Sequence, residues 1–145
     1  MKLNGKVAWV AGASSGIGAA VARELASRGG TVAISARREE QLREVSEGHM
    51  LVVPLDVTDA ASVVAAAARV HEQLGPVDLA VLSVGYWKQT DPAHWDTDVF
   101  DQHIRVNLTG MSNAIAAVLM ALLMKTARLV PVRAWTALWA RTSLT

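Results

Sequence analysis

A short apolar run, residues 6–11 (KVAWVA), leads straight into Gly12-Ala13-Ser14-Ser15-Gly16-Ile17-Gly18, and a helical stretch over 19–28 follows at once. Few folds accept a strand that breaks on three glycines and two serines and then reopens as a helix. Glycine in such a turn permits a tight reversal, lets a bound group come up to bare backbone, and lets the helix lie close on the sheet. The first N–H groups of that helix have no partner inside it and carry a partial positive charge. A turn built this way is a seat for phosphate, and Gly12, Ser14, Ser15, Gly16, Ile17 and Gly18 are its candidate residues. The spacing is Gly-x-x-x-Gly-x-Gly with no Lys-Ser or Lys-Thr after it, which separates it from a P-loop.

The alternation of strand and helix continues. Gly29-Gly30 ends the first helix; residues 31–36 (TVAISA) predict a second strand, 39–47 a charged helix and 50–55 a third strand. Asp59 caps a helix over 60–74 that Gly75-Pro76 stops. Residues 77–84 predict a fourth strand and 85–96 a loop; a helix then starts near Thr97 or Asp98 and runs to about Met124, with a fifth strand over 128–132. Strands that are apolar throughout belong to a parallel sheet covered on both faces by helices. The expected fold is therefore α/β, a doubly wound parallel sheet of the Rossmann type. At 145 residues there is room for one domain. Residues 1–132 are read as that domain, incomplete at its C-terminal side, and 133–145 as an irregular tail.

Composition narrows the partner classes. A formal net charge of +1 gives no general attraction to nucleic acid or to an acidic membrane. The absence of cysteine excludes disulfides, a thiol nucleophile and a cysteine zinc site, and points to the cytoplasm. Residues 1–6 are too polar for a signal peptide. The longest strictly apolar run, 114–124, has eleven residues against the ~20 that span a bilayer, so no membrane partner is expected. His49, His71, His94 and His103 are scattered, without an i, i+4 pair or a carboxylate at ligand spacing, and no metal site is expected. Tyr86, Trp87 and Trp95 fall in the loop after the fourth strand, where they either line a substrate cleft or simply pack the loop.

The glycine spacing resembles the short-chain dehydrogenase/reductase family, whose fingerprint is Thr-Gly-x-x-x-Gly-x-Gly; here Ala11 stands in the place of the threonine. Asp56-Val57, after the third strand, is similar to the family's Asp-Val pair that contacts adenine. Ser83-Val84-Gly85 lies where the family has Asn-Ala-Gly. Only Gly85 is kept, and Ser83 replaces an asparagine that braces the central sheet. Val106-Asn107-Leu108-Thr109-Gly110 resembles the family's Val-Asn segment, whose asparagine helps hold a water in a proton relay. The resemblance covers about residues 5–124. It implies a dinucleotide cofactor, a small carbonyl or alcohol substrate, hydride transfer to or from a nicotinamide, and a homo-oligomer paired through the helix over 107–124.

The residue after the second strand reads the adenosine ribose in this fold. An acid holds the 2′-hydroxyl of NAD, and a base neutralises the extra phosphate of NADP. This chain has Ala36-Arg37-Arg38, with no acid before Glu39. Arg37 is the expected phosphate clamp, its planar fork suited to bidentate contact. Arg38 either assists or is an ordinary solvated arginine. The expected cofactor is NADP rather than NAD.

The resemblance also shows what is missing. The family's proton donor is a tyrosine followed four residues later by a lysine that lowers its pKa, with a serine holding the substrate oxygen. The only tyrosine here is Tyr86, and its fourth successor is Thr90; the place of the serine holds Arg133-Ala134-Trp135. Asn107 is the one relay position present, and without the lysine it reads better as a polar brace. Three readings follow. The preferred one is the NADP-binding part of a short-chain oxidoreductase, inactive as this chain stands. The others are a non-catalytic NADP-binding module or sensor, and an oxidoreductase with unorthodox acid–base residues. All thirteen acidic residues lie at or before Asp101, and the last glycine is Gly110. The tail, with Trp135 and Trp139, no longer resembles the family and is expected to be text in a shifted frame, the change falling near residues 125–133.

Overall fold

Both faces of the first strand are apolar, and the layering follows from that. In the computed structural model, which describes residues 2–126, β1 (Val7–Ala11) is buried along its whole length. β2 (Thr31–Ser35) lies beside it, β3 (Leu51–Val52) beyond β2, and β4 (Leu79–Leu82) on the other flank. The order is β3-β2-β1-β4 and every pairing is parallel, with Trp9 opposite both Ala33 and Ala80.

Successive side chains of a strand point to opposite faces. Ala8 and Val10 enter one core, with Ala19, Ala22, Leu42 and Val45 of α1 (Gly16–Ser27) and α2 (Glu39–Ser46). Val7 and Trp9 enter the other, with Val63, Val70, Ala114 and Ala117 of α3 (Ala60–Leu74) and α5 (Met111–Thr126). Helices on both faces make this the doubly wound sheet that the apolar strands imply. Trp9, only 2% exposed, donates its indole N–H to Ser35 Oγ at 2.9 Å, so its polar tip is satisfied inside the core.

Two elements differ from expectation. The third strand is expected over residues 50–55 but pairs regularly only at Leu51–Val52. Beyond it the chain still follows β2, with Val53 N–H on Ile34 O and Leu55 N–H on Ala36 O; Pro54 falls between these two donors, where its lack of an N–H faces the open edge. The single long helix expected from residue 97 is in fact α4 (Thr97–Ile104), a π-helical turn (Arg105–Gly110) and then α5. The wider turn falls where the helix meets the loop after β3. A Cβ at Gly110 would stand 2.7 Å from Val57 Cγ2, and Asn113 Nδ2 donates to Val57 O at 2.9 Å.

The helical span Thr97–Leu123, which contains an 18-residue window of mean hydropathy 1.7, is long and apolar enough to cross a bilayer by length and composition, which the run of eleven strictly apolar residues does not reveal. It also covers the sheet: Val106, Ala114, Ala117 and Ala121 are in the core, while Ile104, Leu108, Ile115, Leu119 and Leu123 are exposed. The fifth strand expected over 128–132 and the tail 133–145 lie outside the described residues.

Candidate functional site

In this strand order the chain runs from β1 to β2 and β3 on one side, then crosses back from β3 to β4 on the other side of β1. A crevice opens at such a switch point, beyond the carboxyl ends of the strands. Here it is a cleft of about 320 Å³. Its lining comes from every strand end in turn: Leu55-Asp56-Val57 after β3, Ala36-Arg37-Arg38 after β2, Gly12 after β1, and Ser83-Val84-Gly85 after β4.

The turn after β1 is held as an extension of the sheet. Gly12 and Ala13 both donate their N–H to Ser35 O, at 2.7 and 3.1 Å, and Ser83 N–H donates to Ala11 O at 2.8 Å. A Cβ at Gly12 would fall inside the Ser83 carbonyl group, so only glycine lets the turn lie against β4. Gly16, at φ +57°, turns its Cβ position toward open space. Gly18 packs back against Gly12 O. Of the sequence candidates around the cleft, Gly16 and Gly18 shape the turn without lining it; Gly12, Ser14, Ser15, Ile17, Arg37, Arg38, Asp56, Val57 and Gly85 line it. Ala36, Leu55, Val84 and Val106 also line it, and sequence reasoning missed them, although each adjoins a residue it had singled out.

Ser15, in extended backbone, starts α1 but makes no side-chain cap, and the first turn of α1 holds no acid. The first N–H groups of α1 thus have neither an intrahelical nor a side-chain partner. Arg38 Nη2 donates to Ser14 Oγ at 3.3 Å. Neither Arg37 nor Arg38 forms an ion pair among the described residues, whereas Arg23, Arg28 and Arg43 each do. On Asp56, Oδ1 accepts from Thr58 N–H at 2.9 Å and from the Thr58 hydroxyl at 2.8 Å. Open N–H groups, a backbone cradle and two cations suit an elongated anion, and the residues present fit a dinucleotide.

Asn107 sits in the π-helical turn, a feature frequent at functional sites. Its amide bonds the backbone of Tyr86 twice, Oδ1 accepting from the N–H at 2.7 Å and Nδ2 donating to the carbonyl at 2.8 Å. It therefore braces the loop after β4. Ser83 joins the sheet through its backbone, and no hydrogen bond of its hydroxyl occurs among the described residues. Of the histidines, His94 Nδ1 lies 2.8 Å from Asp91 Oδ2, and this contact, with the Ala93 N–H, holds the Asp91 carboxyl below its ordinary value. Among the described residues no three or more His, Asp or Glu side chains converge as a metal site.

A glycine-rich turn at the switch point of a doubly wound parallel sheet defines a Rossmann-type fold. More narrowly, the chain belongs to the short-chain dehydrogenase family, whose sequence profile matches residues 6–138. It is 40% identical over 121 residues to glycine betaine reductase of Emericella nidulans, covering 79% of this chain and 10% of that protein. It is 34% identical over 122 residues to 2,3-dihydro-2,3-dihydroxybenzoate dehydrogenase of Bacillus subtilis, covering 80% of this chain and 47% of that one. Among solved structures it resembles a variant of actinorhodin polyketide ketoreductase with NADPH (TM-score 0.77, 32% identity, 83% of this chain and 49% of that one). A short-chain type dehydrogenase/reductase from Mycobacterium marinum is similar too (TM-score 0.78, 30% identity, 83% of this chain and 51% of that one). The chain thus spans from a tenth to about half of these proteins.

Proposed function

We propose that this chain is the NADP-binding part of a short-chain oxidoreductase, one that moves hydride between a nicotinamide cofactor and a small carbonyl or alcohol, and that as it stands it binds cofactor without turning substrate over. The bound nicotinamide supplies or accepts the hydride. The chain's own residues hold the nucleotide. The start of α1 and the backbone of the turn take the pyrophosphate, Asp56 takes the adenine amino group, and Arg37 takes the 2′-phosphate, with Arg38 beside it on Ser14. The observation that carries this reading is the pair of guanidinium groups lining the cleft next to Ala36, with no carboxylate paired to either among the described residues. A related ketoreductase crystallised with NADPH adds support.

Turnover is not expected, because no tyrosine in these residues is followed four places later by lysine. The same fact favours a second reading, a non-catalytic NADP-binding module or sensor. Calorimetric titration tests the cofactor. NADPH should bind at least about tenfold more tightly than NADH, a difference of ~1.4 kcal/mol, and Arg37→Asp should remove or reverse that preference. Equal affinities in the unmodified chain refute the NADP reading. Carbonyl reduction by the cofactor-loaded chain would instead point to unorthodox acid–base residues.

The proposal includes a cytoplasmic protein with no nucleic-acid or membrane partner, and a homo-oligomer formed through the helix over 107–124. Leu108, Ile115, Leu119 and Leu123 recur along that helix and stay exposed. Covering a few hundred Å² of such surface stabilises by roughly 5–10 kcal/mol at ~25 cal/mol per Å², comparable with the whole stability of a domain. Size-exclusion chromatography with light scattering should show association. A monodisperse monomer melting sharply above ~60 °C, high for a mesophile domain, would show that the stripe needs no partner.

A further inference from the structure

We infer that the hollow beyond Tyr86 is a binding site for a planar aromatic compound carrying an anionic group, and that such compounds are the substrate class of the proposed oxidoreductase; the inference rests on the cofactor reading above. Gly85 lines the nucleotide cleft, and from Trp87 onward the same loop lines a second hollow of about 510 Å³. The residue between them is fixed. Asn107 bonds both backbone groups of Tyr86, and the Tyr86 ring meets His103 edge-on at 4.9 Å. The hollow therefore adjoins the cleft through a braced residue of the loop. The volume is in the range of small-molecule sites.

The lining selects the ligand. Trp87, Trp95 and Phe100 are 78%, 63% and 46% exposed. Large aromatic faces left together in water mark a place of contact. Trp95 and Phe100 stand 5.6 Å apart at 43° and form one wall. Among the described residues that line it, Lys88 supplies the formal charge. Both ring nitrogens of His103 are engaged, Nδ1 with Val99 O at 2.7 Å and Nε2 with Lys88 N–H at 3.2 Å. No carboxylate lines the hollow, and Lys88 forms no ion pair among the described residues. Of the acids in this stretch, Asp91 contacts His94 and Asp96 caps Val99 N–H, while Asp98 and Asp101 lie on α4 outside the lining. Flat apolar walls and one unpaired ammonium fit a ring bearing a carboxylate. A quaternary ammonium would suit the rings but meet Lys88, and a neutral aliphatic would use neither.

The test titrates the full 145-residue chain with 2-naphthoate, 2-naphthamide and (2-naphthylmethyl)trimethylammonium, following the indole N–H resonances of Trp87 and Trp95. The carboxylate should shift both saturably and bind about tenfold more tightly than the amide, as a charge-assisted contact allows. Lys88→Ala should abolish that preference and Trp95→Ala should weaken all three compounds, while NADPH affinity stays unchanged in both. No saturable shift, equal binding of carboxylate and amide, or tighter binding of the ammonium compound overturns the inference. Naphthoate binding without NADPH binding supports the hollow and sinks the cofactor reading; NADPH binding without naphthoate binding sinks the hollow alone.

Discussion

Helices α1 and α3 both begin just past the carboxyl edge of the same sheet, yet their N-termini are finished in opposite ways. At α3 the chain satisfies itself. Asp59 accepts from Ala61 and Ser62 N–H at 2.9 and 3.3 Å, and the Ser62 hydroxyl in turn accepts from Asp56 N–H at 3.1 Å. At α1 the capping position is Ser15, whose side chain makes no such bond, and no acid sits in the first turn. The α2 terminus is intermediate, with no side-chain cap but with Glu39 and Glu40 in its first turn. The same peptide groups can be closed by a neighbouring side chain or left for a ligand, and a capping residue that stabilises the free chain competes with the ligand for them.

The largest effect should come from breaking the open end. Gly16→Val puts a branched side chain into the space beside the turn, at φ +57° where β-branched residues are strained. NADPH affinity should fall at least about 100-fold, ~2.7 kcal/mol by calorimetry; retained affinity would show that the cofactor is seated elsewhere.

Ser15→Asp makes α1 resemble α3. A carboxylate there should raise the stability of the ligand-free chain by ~0.5–1 kcal/mol in urea unfolding. It should lower NADPH affinity about tenfold through like-charge repulsion with the phosphates. If stability and affinity rise together, capping and binding are not in competition.

Asp59→Ala opens α3 instead. It should cost ~1 kcal/mol of unfolding free energy and leave NADPH affinity unchanged, because Asp59 does not line the cleft. A weakened cofactor would mean that the two termini are coupled.

Much of this contrast is legible in the residues alone. The limits of α3 follow from Asp59 and Gly75-Pro76, because a cap and a stop are local chemistry. The cleft is legible for a similar reason: its lining sits at strand ends, where residues such as Gly12, Arg37 and Asp56 interrupt apolar runs. What stayed hidden depends on partners far along the chain. The π-helical turn at Arg105–Gly110 exists among contacts to Tyr86 on one loop and Val57 on another, and no local periodicity announces them. The pairing of Trp95 with Phe100 and the locking of His103 are likewise products of packing. The shortened β3 stayed hidden too, since an apolar run over residues 50–55 does not say how many of them pair regularly with β2.

Ser35 carries a last consequence. It is fully buried, its hydroxyl accepts the indole N–H of Trp9, and its carbonyl accepts two consecutive amides, those of Gly12 and Ala13. In terms of proton exchange with solvent, those two amides belong with the central sheet and open only when it does. The amides that begin α1, a few residues on, have no such hold and trade their protons freely until an anion covers them. The slowest and fastest exchanging amides of this part of the chain therefore lie almost next to each other. Cofactor arrival would be recorded as the abrupt slowing of one short stretch, while the stretch just before it was slow already.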